Sequence, residues 1–162
     1  MIKKIFVDMD GVLADFIKGV EGPNYLNGPF VNVHDYDSRK IELSNNGLFR
    51  NLPVLDGMHQ LMEHIKTECE AKGIYWEILT CTGMQNRQIV ANDKIEWIRE
   101  HVDKDVVITC TFKGVQKAAF AKEGYILIDD TEKNIDAWKG AGGIGILFKD
   151  AQSCIDELKT LL

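Results

Sequence analysis

Lys4-Ile5-Phe6-Val7-Asp8-Met9-Asp10-Gly11-Val12 opens the chain with a short apolar run that stops on two acids. The run is rich in β-branched and aromatic residues and has the makeup of a buried strand. Near the other end, Tyr125-Ile126-Leu127-Ile128-Asp129-Asp130 repeats the pattern. Residues at the carboxyl ends of parallel strands face the crevice where open α/β sheets bind their ligands. If the two runs are neighbouring strands, four carboxylates meet in one small volume. Like charges that close need compensation, and the usual agent is a hard divalent cation with oxygen ligands. A magnesium site, and hence an enzyme, is expected.

Outward from these runs the pattern alternates. Met58 to about Ala71 carries Met58, Leu61, Met62 and Ile65 at helical spacing, with Gly73 as a stop. Tyr75 to Leu79 reads as a strand ending at Thr80. Asn86 to His101 reads as a helix with Ile89, Val90, Ile95, Trp97 and Ile98 on its apolar side. Val106 to Ile108 is the next strand, followed by a loop and short helix over Lys113 to Lys122. Glu132 to Lys139 and Ala151 to Leu161 read as helices around a strand at Ile144 to Phe148. Strands alternating with helices predict a Rossmann-like, three-layer α/β fold with a parallel sheet. Residues 14–53 break the pattern at Gly22-Pro23, Asn27-Gly28-Pro29 and Asn45-Asn46-Gly47, yet hold Phe16, Tyr25, Phe30, Tyr36 and Phe49. That combination predicts a small cap inserted after the first strand, with residues 1–13 and 54–162 forming the core domain.

Several other readings are excluded or set aside. A formal charge of −6 argues against a nucleic-acid polymer as partner. No run approaches the ~20 apolar residues of a membrane span, and the first apolar run is too short for a signal peptide. A cytoplasmic protein is expected. Cys69, Cys81, Cys110 and Cys154 lack metal-ligand spacing and suit reduced thiols. His34, His59, His64 and His101 show no zinc spacing. Asp8-x-Asp10 does not begin a calcium loop, because Val12 and Gly19 stand where that loop needs acids. Gly140-Ala141-Gly142-Gly143-Ile144-Gly145 matches a dinucleotide fingerprint only formally, since it follows a helix and precedes a strand.

Asp8-x-Asp10-Gly11-Val12, Thr80 closing a strand, Lys117, and Ile128-Asp129-Asp130 together resemble the four signatures of the haloacid dehalogenase (HAD) superfamily of phosphohydrolases. The resemblance implies roles. Asp8 would attack phosphorus and form an aspartyl-phosphate. Asp10 would protonate the leaving oxygen and then activate water; alternation along an extended segment points it the same way as Asp8. Asp8, the Asp10 carbonyl and Asp130 would ligate Mg2+, with Asp129 supporting them from behind. Thr80 and Lys117 would bind the phosphoryl oxygens. Thr82 competes with Thr80, Lys113 and Lys122 compete with Lys117, and Asp129 competes with Asp130 as direct ligand.

Asp8 to Phe16, Gly47-Leu48-Phe49-Arg50-Asn51-Leu52-Pro53 with Gly57, and Leu127 to Asp130 are most similar to the 5'(3')-deoxyribonucleotidase group. That similarity implies a deoxynucleoside monophosphate as the small-molecule partner, with Phe16 and Phe49 as candidates for stacking the base. Two residues depart from the group's pattern. Thr131 stands where Arg is common and is expected to cap the helix at Glu132, and Leu48 replaces an aromatic. Two rivals remain: a HAD phosphatase for another small phosphorylated metabolite, and a non-catalytic phosphate- or nucleotide-binding module.

Overall fold

The computed structural model of the protein describes residues 1–21 and 40–162. In chain order the elements are β1 (Lys4–Val7), α1 (Phe16–Glu21), α2 (Met58–Lys72), β2 (Tyr75–Cys81), α3 (Arg87–His101) and β3 (Ile108–Thr111). A 3-10 helix (Gly114–Phe120), β4 (Tyr125–Asp129), α4 (Glu132–Gly140), β5 (Ile144–Leu147) and α5 (Ala151–Leu161) complete the fold. Residues 40–45 are also helical.

The five strands form one parallel sheet in the order β3-β2-β1-β4-β5. β1 is central, and β4 lies directly beside it with Val7 paired to Ile128. The expected neighbourhood of the first and fourth runs is therefore present. Chain direction across the sheet reverses at β1, and crevices for ligands open at such switch points.

Alternation along the strands separates two cores. Ile5, Val7, Ile78, Ile126 and Ile128 pack with α2, α3 and α5 residues on one face. Phe6, Leu79 and Leu127 pack with Ile135 and Trp138 of α4 on the other. Phe6 sits edge-on to Trp138, with ring centroids 5.2 Å apart. Gly143 has no room for a side chain, because a Cβ there would fall on the Trp138 indole. The glycine run is a helix-to-strand connection, as its order in the sequence implied, and Gly143 and Gly145 are its closely packed members.

β3 corrects the expected strand at Val106 to Ile108. The ladder with β2 pairs Ile78 with Ile108 and Cys81 with Thr111, so the strand continues through Thr109-Cys110-Thr111. Pairing register, not apolarity, sets its limits. α3 is corrected as well: Ile89 and Ile95 are exposed, and the buried stripe is Val90, Lys94, Trp97 and Ile98.

Residues 13–15 and 53–55 run side by side. Leu55 N donates to Leu13 O at 2.9 Å, and Asp15 N donates to Pro53 O at 2.8 Å. The chain between them leaves and returns at one seam, close to the expected limits of the cap. Tyr25, Phe30, Tyr36 and His34 lie outside the described residues. Of the described segments, Val20, Leu48, Phe49 and Leu52 are buried in the larger core.

Candidate active site

β1 ends at Val7, and Asp8 keeps its place in the ladder by donating its amide to Ile128 O at 2.9 Å. Beyond it the backbone curls: the carbonyl of Met9 accepts from Val12, Leu13 and Ala14. Gly11 takes φ +75°, the left-handed region, and a Cβ there would collide with the Asp130 carboxylate. The Asp8–Gly11 turn therefore needs glycine both for its bend and for the approach of β4's acidic end.

Asp8 Oδ1 accepts from the Met9 amide at 2.8 Å and from Lys117 Nζ at 2.8 Å. Lys117 Nζ also reaches Asp129 Oδ2 at 2.6 Å. Burial alone would lower the Lys117 pKa, but Asp8 and Asp129 outweigh it and hold the ammonium above its ordinary value. Lys113 and Lys122, the competing lysines, are exposed.

Asp129 is fully buried and fully engaged. Besides Lys117 it accepts from Asn134 Nδ2 at 3.1 Å to each oxygen, and from the Thr131 amide at 2.9 Å. Burial and the charge of Asp8 raise its pKa, with Lys117 and the Thr131 amide acting against the rise. Asp130 lines the cavity instead and has the Thr131 hydroxyl, at 3.3 Å, as its side-chain partner. Burial, then Asp8 and Asp129, raise its pKa to about 6. Oxygen atoms of Asp8, Asp129 and Asp130 all lie within 4.8 Å of one another. Thr131 stands at the start of α4 without a side-chain cap, because its hydroxyl turns to Asp130. That corrects the expected capping role.

Asp10 faces the same cavity, but a different lysine holds it. Lys94 Nζ donates to Asp10 Oδ2 at 2.7 Å, to Thr80 Oγ1 at 3.0 Å and to the Cys81 carbonyl at 2.7 Å. Asp8 is thus gripped from the face of α4 and the 3-10 helix, and Asp10 from the face of α3. Both acids line the one cavity, although the chain is no longer extended after Asp8.

Thr80 is fully buried beneath Lys94 and does not line the cavity, whereas Thr82 does. The Thr82 hydroxyl lies 3.3 Å from Thr111 O and 3.1 Å from Gly83 O. Phe16 and Phe49 stack on each other at 5.9 Å between centroids, and Lys94 Nζ lies 4.8 Å from the Phe49 ring. Phe49 is only 2% exposed, and what it shows lines the cavity beside Phe16. Phe16 is less buried, and its ring has Lys40 Nζ 5.2 Å away. The cavity above the acids has a volume of about 610 Å³, and Lys40, Lys149, Phe16 and Phe148 are among its walls.

Lys94 escaped the sequence reading because a lysine within a helix ordinarily faces water. Its period does carry a signal: positions 90, 94, 97 and 98 make one helical stripe, and the other three are apolar.

Structures with this architecture are known. A haloacid dehalogenase-like family hydrolase from Xanthomonas campestris matches with TM-score 0.62 and 12% identity, covering 99% of this chain and 91% of its own. A hydrolase from Streptococcus pneumoniae TIGR4 matches with TM-score 0.58 and 12% identity over 98% of each chain. A HAD-superfamily hydrolase, subfamily IA, variant 1, from Geobacter sulfurreducens PCA gives 0.54 and 11%, covering 97% of this chain and all of its own (100%). At such identities the likeness bears on the fold alone. Among curated proteins none matches. The family model described as 5' nucleotidase, deoxy (pyrimidine), cytosolic type C protein matches residues 27–156, and the chain belongs to that family. No described helix is long and apolar enough to cross a membrane.

Proposed function

We propose that this enzyme is a Mg2+-dependent 5'(3')-deoxyribonucleotidase that works through a phosphoryl group carried on Asp8. The observation behind this reading is the convergence of Asp8, Asp129 and Asp130 within 4.8 Å, with Lys117 paired to only the first two. The donor set fits a hard cation: it is all oxygen, and Asp130 has no cationic partner among the described residues. Asp8, Asp130 and the Asp10 carbonyl would hold Mg2+. When bound, the ion would neutralise charge so that a phosphate dianion can enter an acidic pocket.

The chain's own residues do the rest. Asp8 Oδ1 is anchored by Met9 and Lys117, which leaves Oδ2 to attack phosphorus. Lys117 draws off charge from the equatorial oxygens as the bond to the leaving group loosens. Asp10 donates a proton to the leaving oxygen and takes one from the water that later releases phosphate. Thr82, which lines the cavity, is better placed than the buried Thr80 to reach a phosphoryl oxygen. The family's description supports a deoxynucleotide as substrate.

The deciding experiment compares kcat/KM across deoxynucleotides, ribonucleotides and sugar phosphates with Mg2+ present. Preference for a deoxynucleoside monophosphate is expected. A more than tenfold preference for a sugar phosphate would overturn the substrate assignment, and turnover indifferent to chelation would overturn the metal.

A further inference from the structure

We infer that β3 is a docking edge for a second copy of this chain: two β3 strands pair antiparallel about Thr109 and join two sheets into one. The inference stands apart from the phosphohydrolase reading, because no residue of this edge lines the cavity above the acids.

β3 closes the sheet on one side, with β2 as its partner. Ile78 N donates to Val107 O and Thr82 N to Thr111 O, both at 2.9 Å. Odd-numbered residues therefore turn their backbone toward β2, and alternation turns that of Ile108 and Cys110 away from the sheet. Neither has a backbone partner on that side among the described residues. Beyond them the chain closes its own edge. Arg99 Nη1 donates to Val106 O at 2.7 Å. The Phe112 amide donates to Gln116 Oε1 at 3.1 Å, and its carbonyl accepts from Cys81 Sγ at 3.2 Å. What stays open is the stretch from Ile108 to Cys110. Unpaired amides and carbonyls along an edge are a template for another strand.

Charge at the two ends of the edge selects the occupant. Asp105 stands as far before Thr109 as Lys113 stands after it, and both are exposed. Asp105 has only Lys104, 3.9 Å away, as an ion-pair partner, and Lys113 is in no ion pair among the described residues. Arg87, over the Phe112 ring at 4.6 Å, adds to the positive end. Such an edge is its own complement when one copy is turned end for end.

The open groups fix the register. In an antiparallel pair centred on Thr109, Ile108 and Cys110 of one copy meet Cys110 and Ile108 of the other. Each of these pairs exchanges both of its backbone bonds. A pair centred on Cys110 would need the Phe112 backbone, and one centred on Ile108 would need Val106, where bonds are already made. Continued outward, the register centred on Thr109 sets Asp105 against Lys113 on each side of the twofold axis, a stabilising cross-strand pair. Val107 and Phe112, 60% and 47% exposed, supply apolar surface for the partner strand to cover.

Sedimentation of the full chain from micromolar to submillimolar concentration tests this. A dimer is expected, and a chain that stays monomeric throughout would overturn the inference. Asp105→Lys sets like charges face to face and should raise the dimer dissociation constant about tenfold or more. Adding Lys113→Asp to that variant should restore association. A dimer indifferent to Asp105→Lys, or not recovered by the double exchange, would refute this edge as the interface. Cross-linking checks the register separately. Opposed Thr109 residues form a non-hydrogen-bonded pair with Cα atoms about 4.5 Å apart, within the roughly 4.4–6.8 Å that a disulfide spans. Thr109→Cys in a Cys110→Ser background should therefore give a covalent dimer on oxidation. Cys110→Ser alone, or combined with Val107→Cys, should not, because Val107 faces Thr111 of the other copy. A cross-link at 107 without one at 109 would refute the pairing about Thr109.

Discussion

Gly11 and Asp130 occupy nearly the same space, and that contact links two distant stretches of chain. An alanine at 11 would need φ near +75° and would drive its Cβ into the Asp130 carboxylate. Left-handed backbone alone costs about 1–2 kcal/mol. Gly11→Ala should therefore lower the melting temperature and weaken Mg2+ binding at least tenfold, read by calorimetric titration. Asp8→Asn should abolish turnover while the fold is preserved by circular dichroism; retained hydrolysis would remove Asp8 as nucleophile. At the phosphate end, Thr82→Val should raise KM by more than Thr80→Val does, because only Thr82 reaches the cavity. At this scale the acids were legible in the sequence, since their chemistry and position after apolar runs both announce them. Lys94 was not, because nothing in a lysine's identity tells whether it faces water or a buried carboxylate.

α3 does more than cover the sheet. Its buried stripe carries Trp97 against the returning segment, where the indole Nε1 donates to Leu52 O at 2.8 Å, and Lys94 one turn earlier. Trp97→Ala should cost about 3–5 kcal/mol by emptying a filled site. Trp97→Phe keeps most of the ring but strands the Leu52 carbonyl, a loss of about 1–3 kcal/mol. Denaturant unfolding of both variants measures the difference. Elements were legible where a single period ran unbroken: α5 begins and ends at Ala151 and Leu161 as expected, and the other main helices differ from expectation only by a residue at an end. β3 was displaced because its outer half is Thr-Cys-Thr, and such a strand owes its existence to the ladder with β2. Ile89 and Ile95 were placed inside by their apolar character, but the helix buries a stripe, and their angle on the wheel lies outside it.

For the molecule as a whole, the acidic crevice couples stability to pH. Asp130 binds its proton up to about pH 6 in the folded state, against an ordinary value of 3.8 when unfolded. Between those values the native state holds more protons, so stability falls as pH rises and the penalty is complete above about 6. Asp129 shifts in the same direction. In chelator, the melting temperature should therefore drop from pH 5 to 7, and Asp130→Asn should flatten that slope. Added Mg2+ should reverse it, because the metal replaces the proton. A thiol titration offers a second check on the whole fold. Burial pushes Cys154 up to about 12 and Cys69 to about 11, so both should resist modification until the protein unfolds. The seam at Leu13 and Leu55 carries a different lesson. Departure and return are stitched there by two hydrogen bonds, and between them Val20, Phe49 and Leu52 are sunk into the core beneath the sheet. A change in that excursion is therefore felt by the catalytic floor as well as by whatever sits above it, so choice of substrate and means of cleavage are expected to drift together.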